Sequence, residues 1–304
     1  MAAILYLLGD ALYSLNPSML PSPPEGLSFG MGGPDEVCYR APNGDETMCK
    51  DLPPGMAGTV GTWYLDPQQY ILEGIVVSLA CLGVIRYFLP KLLSAIPSQF
   101  EVHHPKGVPL VAVISCLTIA YYKYFAYLEK LLYFVMPCNM QWLLMVVLCY
   151  GPTNWRPAIL ELQLSYLGGA FVALAVPDLT DLSMFGEMEF FFFNHGILPF
   201  IPLLYLQNGS YTTRTSLATH IEWWAISCAF FGIFYFTVVT FLAVLTGLNL
   251  NYMLHPPPGQ DVCIGEWYRF YSIGLLSLLF ALSRLLGYVV EVTLFSKKKA
   301  KKIE

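Results

Sequence analysis

The sequence predicts an all-α fold, a polytopic membrane helical bundle of about seven transmembrane helices. Three observations predict it. Hydrophobic residues fill 56% of the 304 positions and charged residues only 12%, about half the charged share of a soluble domain. Apolar runs of spanning length recur along the chain. The charged residues are segregated by loop, with the basic ones falling on alternate loops.

The elements follow in order. Residues 1–68 precede the first span and form one N-terminal segment. Its apolar start, Met1 to Leu8, has no positive flank and is too short for a signal peptide, so an interfacial helix is expected. Ser22-Pro23-Pro24-Glu25-Gly26 and Gly30-Met31-Gly32-Gly33-Pro34-Asp35 read as turns. Apolar segments then occupy residues 69–90, 108–128, 131–150, 158–176, 188–207, 220–246 and 267–295. The second and third are nearly continuous. Pro137 interrupts the third, which predicts a tight hairpin near residues 129–137 and a helix that starts at Pro137. The bundle is expected over residues 69–296 and a basic tail over 297–304.

An odd number of spans puts the termini on opposite sides. Arg86, Lys91, Lys106, Arg156, Arg214 and the tail lysines 297–299, 301 and 302 fall on one side, expected to be cytosolic. Asp178, Asp181, Glu187, Glu189, Asp261 and Glu266 fall on the other, with the N-terminal segment. The expected orientation is therefore N-terminus lumenal and C-terminus cytosolic. Cys38, Cys49 and Cys263 lie on the lumenal side, where a disulfide is permitted, and Cys38–Cys49 is the simplest pairing. Cys81, Cys116, Cys149 and Cys228 read as small packing residues. The sequon Asn208-Gly209-Ser210 falls on the cytosolic side, where it would be silent. The ending Lys301-Lys302-Ile303-Glu304 resembles a dilysine retrieval signal of the endoplasmic reticulum, a reading favoured over a basic flank anchoring the last span because the lysines stand third and fourth from the end of a tail expected to be cytosolic.

Several function classes drop out. No basic stripe suits a nucleic acid. No Cys/His spacing suits structural zinc, and no Gly-rich phosphate cradle is present. Neither a metal nor a cofactor is expected.

Two reactive groups remain at membrane depth. Cys138 and His195 each fall seven residues into a span from the same side, roughly 10 Å deep. Polar groups at that depth are costly and default to a functional reading. A thiol at a helix start, with an imidazole to take its proton, makes a nucleophile and base. Asn139, Asn194 and Lys123 are candidate hydrogen-bond donors to an oxyanion. Asn249, Asn251 and Arg269 sit in the same half of the bundle. Glu189 or Glu187 would orient His195, or be solvated at the interface. His103, His104 and His255 read as solvated loop residues. The plain alternative is packing for the thiol and an interhelical contact for the imidazole. Three functions stay open: acyl transfer, a lipid esterase on the same pair, and a non-enzymatic seven-helix lipid receptor.

Certain stretches carry a family likeness. Pro137-Cys138, Glu187-Met188-Glu189 followed by His195 and Pro199, Leu248-Asn249-Leu250-Asn251-Tyr252-Met253-Leu254 and Gly265-Glu266-Trp267-Tyr268-Arg269 resemble the transmembrane protein 164 family, as do Gln69-Tyr70-Ile71-Leu72-Glu73 and the Lys-Lys-Ile-acid end. The likeness covers roughly residues 67–304. It implies an endoplasmic reticulum acyltransferase that moves a polyunsaturated chain from a phospholipid donor to a lysophospholipid, notably ether-linked phosphatidylethanolamine. It implies Cys138 as acyl carrier and His195 as base. Two departures stand out. Asn139 occupies a place where the family commonly has His, and Ile273-Gly274 replaces a further His early in the last span.

Overall fold

The computed structural model describes residues 2–15, 28–33, 36–40, 46–51, 65–96, 102–126, 128–177, 179, 182, 184–207, 216–254, 256, 265–290 and 292–293. The sequon, Asp178, Asp181, Arg214, His255, Asp261, Cys263 and the lysine-rich tail lie outside the described residues.

The N-terminal segment contains α1 (Ala2–Leu15) and a three-stranded antiparallel sheet of β1 (Ser28–Gly33), β2 (Glu36–Arg40) and β3 (Glu46–Asp51). The stretch read as a turn, Gly30–Asp35, is corrected only in its first part: Gly30–Gly33 belong to β1, and β1 and β2 are antiparallel neighbours that pair at Gly33 and Glu36. Pairing with β2 holds these glycines extended, because context outweighs the poor strand preference of glycine. Cys38 and Cys49 are register partners on β2 and β3.

Then follow α2 (Pro67–Ser94), α3 (Val108–Ala126), a 3-10 segment (Leu128–Val135), α4 (Pro137–Tyr150), α5 (Arg156–Ala175), α6 (Glu187–Ile197) and α7 (Phe200–Gln207). The chain continues through α8 (Leu217–Ile233), a π segment (Phe234–Val239), α9 (Thr240–Thr246) and α10 (Tyr268–Val290). Among the described residues, five helical stretches are long and apolar enough to cross a membrane: α2, α3, α5, α8 through α9, and α10 with the turn before it.

The third and fifth expected spans differ from the rest. At 14 residues, α4 is roughly 21 Å long, short of a hydrocarbon core about 30 Å thick. The fifth is broken into α6 and α7 around Pro199. Proline has no N–H for the carbonyl four residues earlier, which here belongs to His195. The helical membrane fold therefore stands, with five spans of full length and two shorter or broken segments. Those two carry Cys138 and His195.

The chain divides into two compact units. The first is Met1–Cys81, Asp178–Ser183 and Phe231–Gly274; the second is Leu82–Pro177, Met184–Phe230 and Leu275–Glu304. In the second unit α4 packs on α3 and α5, and α5 also packs on α6 and α7. Its core gathers Trp142, Met145, Leu148, Leu160, Leu198 and Tyr205. Lipid is as apolar as this core, so close approach and interhelical hydrogen bonds hold the helices. A Cβ on Gly168 of α5 would lie 2.7 Å from the carbonyl oxygen of Leu279 on α10, and one on Gly287 of α10 would lie 3.1 Å from Leu164. Between these contacts, Arg284 Nη1 meets Glu161 Oε2 at 2.6 Å and Arg284 Nε donates to Ser165 Oγ at 2.7 Å. Sequence reading passed over this pair, because one charge in each of two apolar runs does not reveal that they face each other.

Candidate functional site

Pro137 starts α4, as expected from its fixed φ and missing N–H. Met136 is the N-cap, in extended conformation and without a side-chain cap. Cys138 therefore stands in the first turn, half-buried, among the unpaired backbone N–H groups of the helix start. The next residue, Asn139, is buried and donates from Nδ2 to Tyr133 O at 2.8 Å. That bond ties the 3-10 segment to the start of α4.

Along α4, Gln141 and Trp142 follow Cys138 by three and four residues, so all three share a face. Trp142 is fully buried and its Nε1 has no hydrogen-bond partner among the described residues. Gln141 donates from Nε2 to Tyr166 O at 3.0 Å, but its Oε1 has no such partner. Neither was singled out as a site residue from sequence. Their spacing from Cys138 was the available signal.

His195 lies in the last turn of α6, 2% exposed. Its Nδ1 is 2.8 Å from Phe191 O, one turn earlier. A carbonyl only accepts, so Nδ1 carries the proton and Nε2 presents its lone pair. That lone pair is buried and has no partner among the described residues. The ring of Phe191 lies against the imidazole, centroids 4.2 Å apart. Asn194, equally buried, has an Oδ1 without a partner. The tautomer is thus set by the backbone of α6, and neither glutamate is needed to set it.

The two glutamates separate. Glu189 is exposed, whereas Glu187 is buried and pairs with Lys123 of α3 at 3.2 Å. Glu187 also accepts from the Met184 N–H at 3.1 Å, fastening the start of α6. Lys123 lies 5.8 Å from the centroid of Tyr133. The ion pair explains how an ammonium survives at this depth and commits Lys123 to holding α3 against α6. Gly186, just before α6, has φ +78, and a Cβ there would sit 3.0 Å from the Tyr122 hydroxyl.

The remaining candidates belong to the first unit and have structural tasks there. Arg269 is fully buried; its Nη1 meets Glu73 Oε2 at 2.7 Å and its Nη2 donates to Thr240 Oγ1 at 2.7 Å. Its guanidinium lies over the rings of Tyr70 and Phe236, at 4.9 and 4.5 Å. Asn249 Oδ1 accepts from the Leu254 N–H at 2.9 Å, and Asn251 takes a left-handed backbone with φ 50. Asparagine tolerates that conformation better than most side chains, so these residues shape the turn after α9.

One loop histidine departs from expectation. His104 is half-buried and shares a 2.9 Å hydrogen bond between Nδ1 and the Tyr205 hydroxyl, which in turn lies 3.8 Å from Cys149 Sγ. Burial, reinforced by Arg156 and His103, holds this imidazole below the ordinary histidine range. Among the described residues no group of three or more His, Cys, Asp or Glu side chains is placed to hold a metal ion.

Comparison with known proteins places the chain. The sequence model of the TMEM164 family matches residues 64–287. The chain is also 26% identical over 267 residues to the transmembrane protein 164 homolog of Dictyostelium discoideum, covering 79% of this chain and 92% of that one. No solved structure matches.

Proposed function

The chain belongs to the TMEM164 family, and from that premise we propose that it is a membrane phospholipid transacylase. It takes a fatty acyl chain from a phospholipid donor onto Cys138 and passes it to a lysophospholipid, with ether-linked lysophosphatidylethanolamine, which becomes ether-linked phosphatidylethanolamine, as the acceptor favoured by the family resemblance. The proposed place is the endoplasmic reticulum membrane, N-terminus lumenal and tail cytosolic. The observation that carries this reading is His195, a buried imidazole with its tautomer set by Phe191 O and its Nε2 lone pair without a partner among the described residues.

In the first half-reaction His195 Nε2 takes the Cys138 proton, and the thiolate attacks the donor's ester carbonyl. The Trp142 Nε1–H donates to the resulting oxyanion. The tetrahedral species collapses to a thioester, and the departing alkoxide takes the proton from His195 to leave as a lysolipid. In the second half-reaction the acceptor hydroxyl gives its proton to Nε2 and attacks the thioester. The thiolate leaves and recovers the proton. One ester is exchanged for another, so no cofactor is consumed.

The test is product analysis in nanodiscs, using a phosphatidylcholine with a labelled sn-2 chain and an ether lysophosphatidylethanolamine. Transfer predicts label in a remodelled diacyl lipid, lost in Cys138→Ser. Label released as fatty acid, with no remodelled lipid, would replace the transacylase with an esterase.

A further inference from the structure

The first unit contains a groove of about 370 Å³ for which the proposed chemistry has no use. One wall is a face of α2, with Tyr70, Gly74 and Ser78 one turn apart; the facing wall is built by Phe236, Thr237 and Thr240 of the π segment and α9. The walls come closest at Gly74, where a Cβ would lie 3.0 Å from Phe236 O. The π segment displaces its helix from regular α geometry, as such bulges do at functional sites.

The groove is apolar because its threonine hydroxyls are turned inward. Thr237 Oγ1 donates to Ile233 O and Thr240 Oγ1 to Tyr235 O at 2.9 Å, while Arg269 fixes Thr240 from behind. Ser78 Oγ is buried on the wall without a hydrogen-bond partner among the described residues. The lips, Ile75, Leu79 and Phe241, are exposed on helices apolar enough to span. The medium outside such lips is hydrocarbon.

We propose that this groove holds one fatty-acyl chain of a membrane phospholipid. Length favours it: Tyr70 to Leu79 spans roughly 13 Å of helix, close to one leaflet of a core about 30 Å thick. About 370 Å³ spread along that length leaves a cross-section too narrow for a helix of a second protein, which is about 10–12 Å across. A polar ligand would find few partners on these walls. The site stands whether or not the chain is a transacylase, since it draws on none of the residues assigned to that reaction.

The test is photocrosslinking in nanodiscs containing a phosphatidylcholine with a diazirine on its sn-2 chain. Adducts should concentrate on peptides covering residues 70–79 and 236–241, in excess of those at Leu110 and Leu117, which are exposed on α3. Ser78→Leu fills the groove while removing a buried hydroxyl. It should lose the groove adducts and keep those on α3. Adducts spread evenly over the exposed faces of α2, α3 and α10 would overturn the proposal. So would undiminished groove labelling in Ser78→Leu.

Discussion

The imidazole of His195 has one nitrogen engaged with Phe191 O and the other buried without a partner among the described residues. Leaving such an acceptor unsatisfied costs about 1–3 kcal/mol. His195→Gln is expected to lower acyl transfer about 10²–10⁴-fold while leaving the melting temperature near that of the parent. Trp142→Phe keeps an aromatic ring, although a smaller one, and removes one donor. It should lower kcat about 10²–10³-fold with little change in KM, the signature of a contact made in the transition state. Equal loss in kcat and gain in KM would reassign the indole to ground-state binding. His104 gives a pH prediction of a different kind. Its imidazole is held below the ordinary range, so the folded protein favours the neutral form. That contribution to stability is complete above the ordinary histidine value of about 6.5 and is lost as pH falls below it. Thermal melts across falling pH should therefore decline more steeply for the parent than for His104→Gln.

Among the elements, α4 and α6 show what sequence reveals and what it hides. Pro137 announced the start of α4, and with it the first-turn position of Cys138. The apolar run alone hid the brevity of α4, since residues 131–136 are as hydrophobic as the helix but form part of a 3-10 segment and the cap. Pro199 was visible, yet periodicity counted across it and merged α6 with α7. Partners were the least legible feature. Lys123 reads from sequence as a candidate oxyanion donor and Arg269 as a polar group in the same half of the bundle, but their carboxylates, Glu187 and Glu73, come from helices distant in sequence. The Arg284–Glu161 pair went unread altogether. Glu161→Ala should cost about 3–5 kcal/mol by stranding the Arg284 charge, measured as a fall in thermal stability, and Glu161→Ala with Arg284→Met should recover much of it. Gly186→Ala forces a side chain into a left-handed backbone and against Tyr122, and should loosen the start of α6, seen as faster amide exchange over residues 187–191. In the N-terminal sheet the register of Cys38 opposite Cys49 predicts a bridge, checked by a two-proton mass deficit that reduction removes.

At the scale of the whole molecule, each unit is held by a buried arginine pair of its own, Arg269–Glu73 in the first and Arg284–Glu161 in the second. The second unit also contains Cys138, His195 and Trp142, while the first contains the apolar groove. Five full spans supply the scaffold, and the short α4 and broken α6–α7 carry the reactive residues. Non-helical backbone at membrane depth is tolerated where protein buries it. The central claim is a covalent acyl-thioester on Cys138. It is tested most directly by intact mass of the purified protein in nanodiscs after incubation with a phospholipid carrying a labelled sn-2 chain. The account predicts a hydroxylamine-labile adduct of one acyl mass, absent in Cys138→Ala and either trapped or absent in His195→Ala. No adduct from any of several donor lipids, with the bundle verified as folded, would contradict the covalent mechanism and leave a lipid receptor as the better reading.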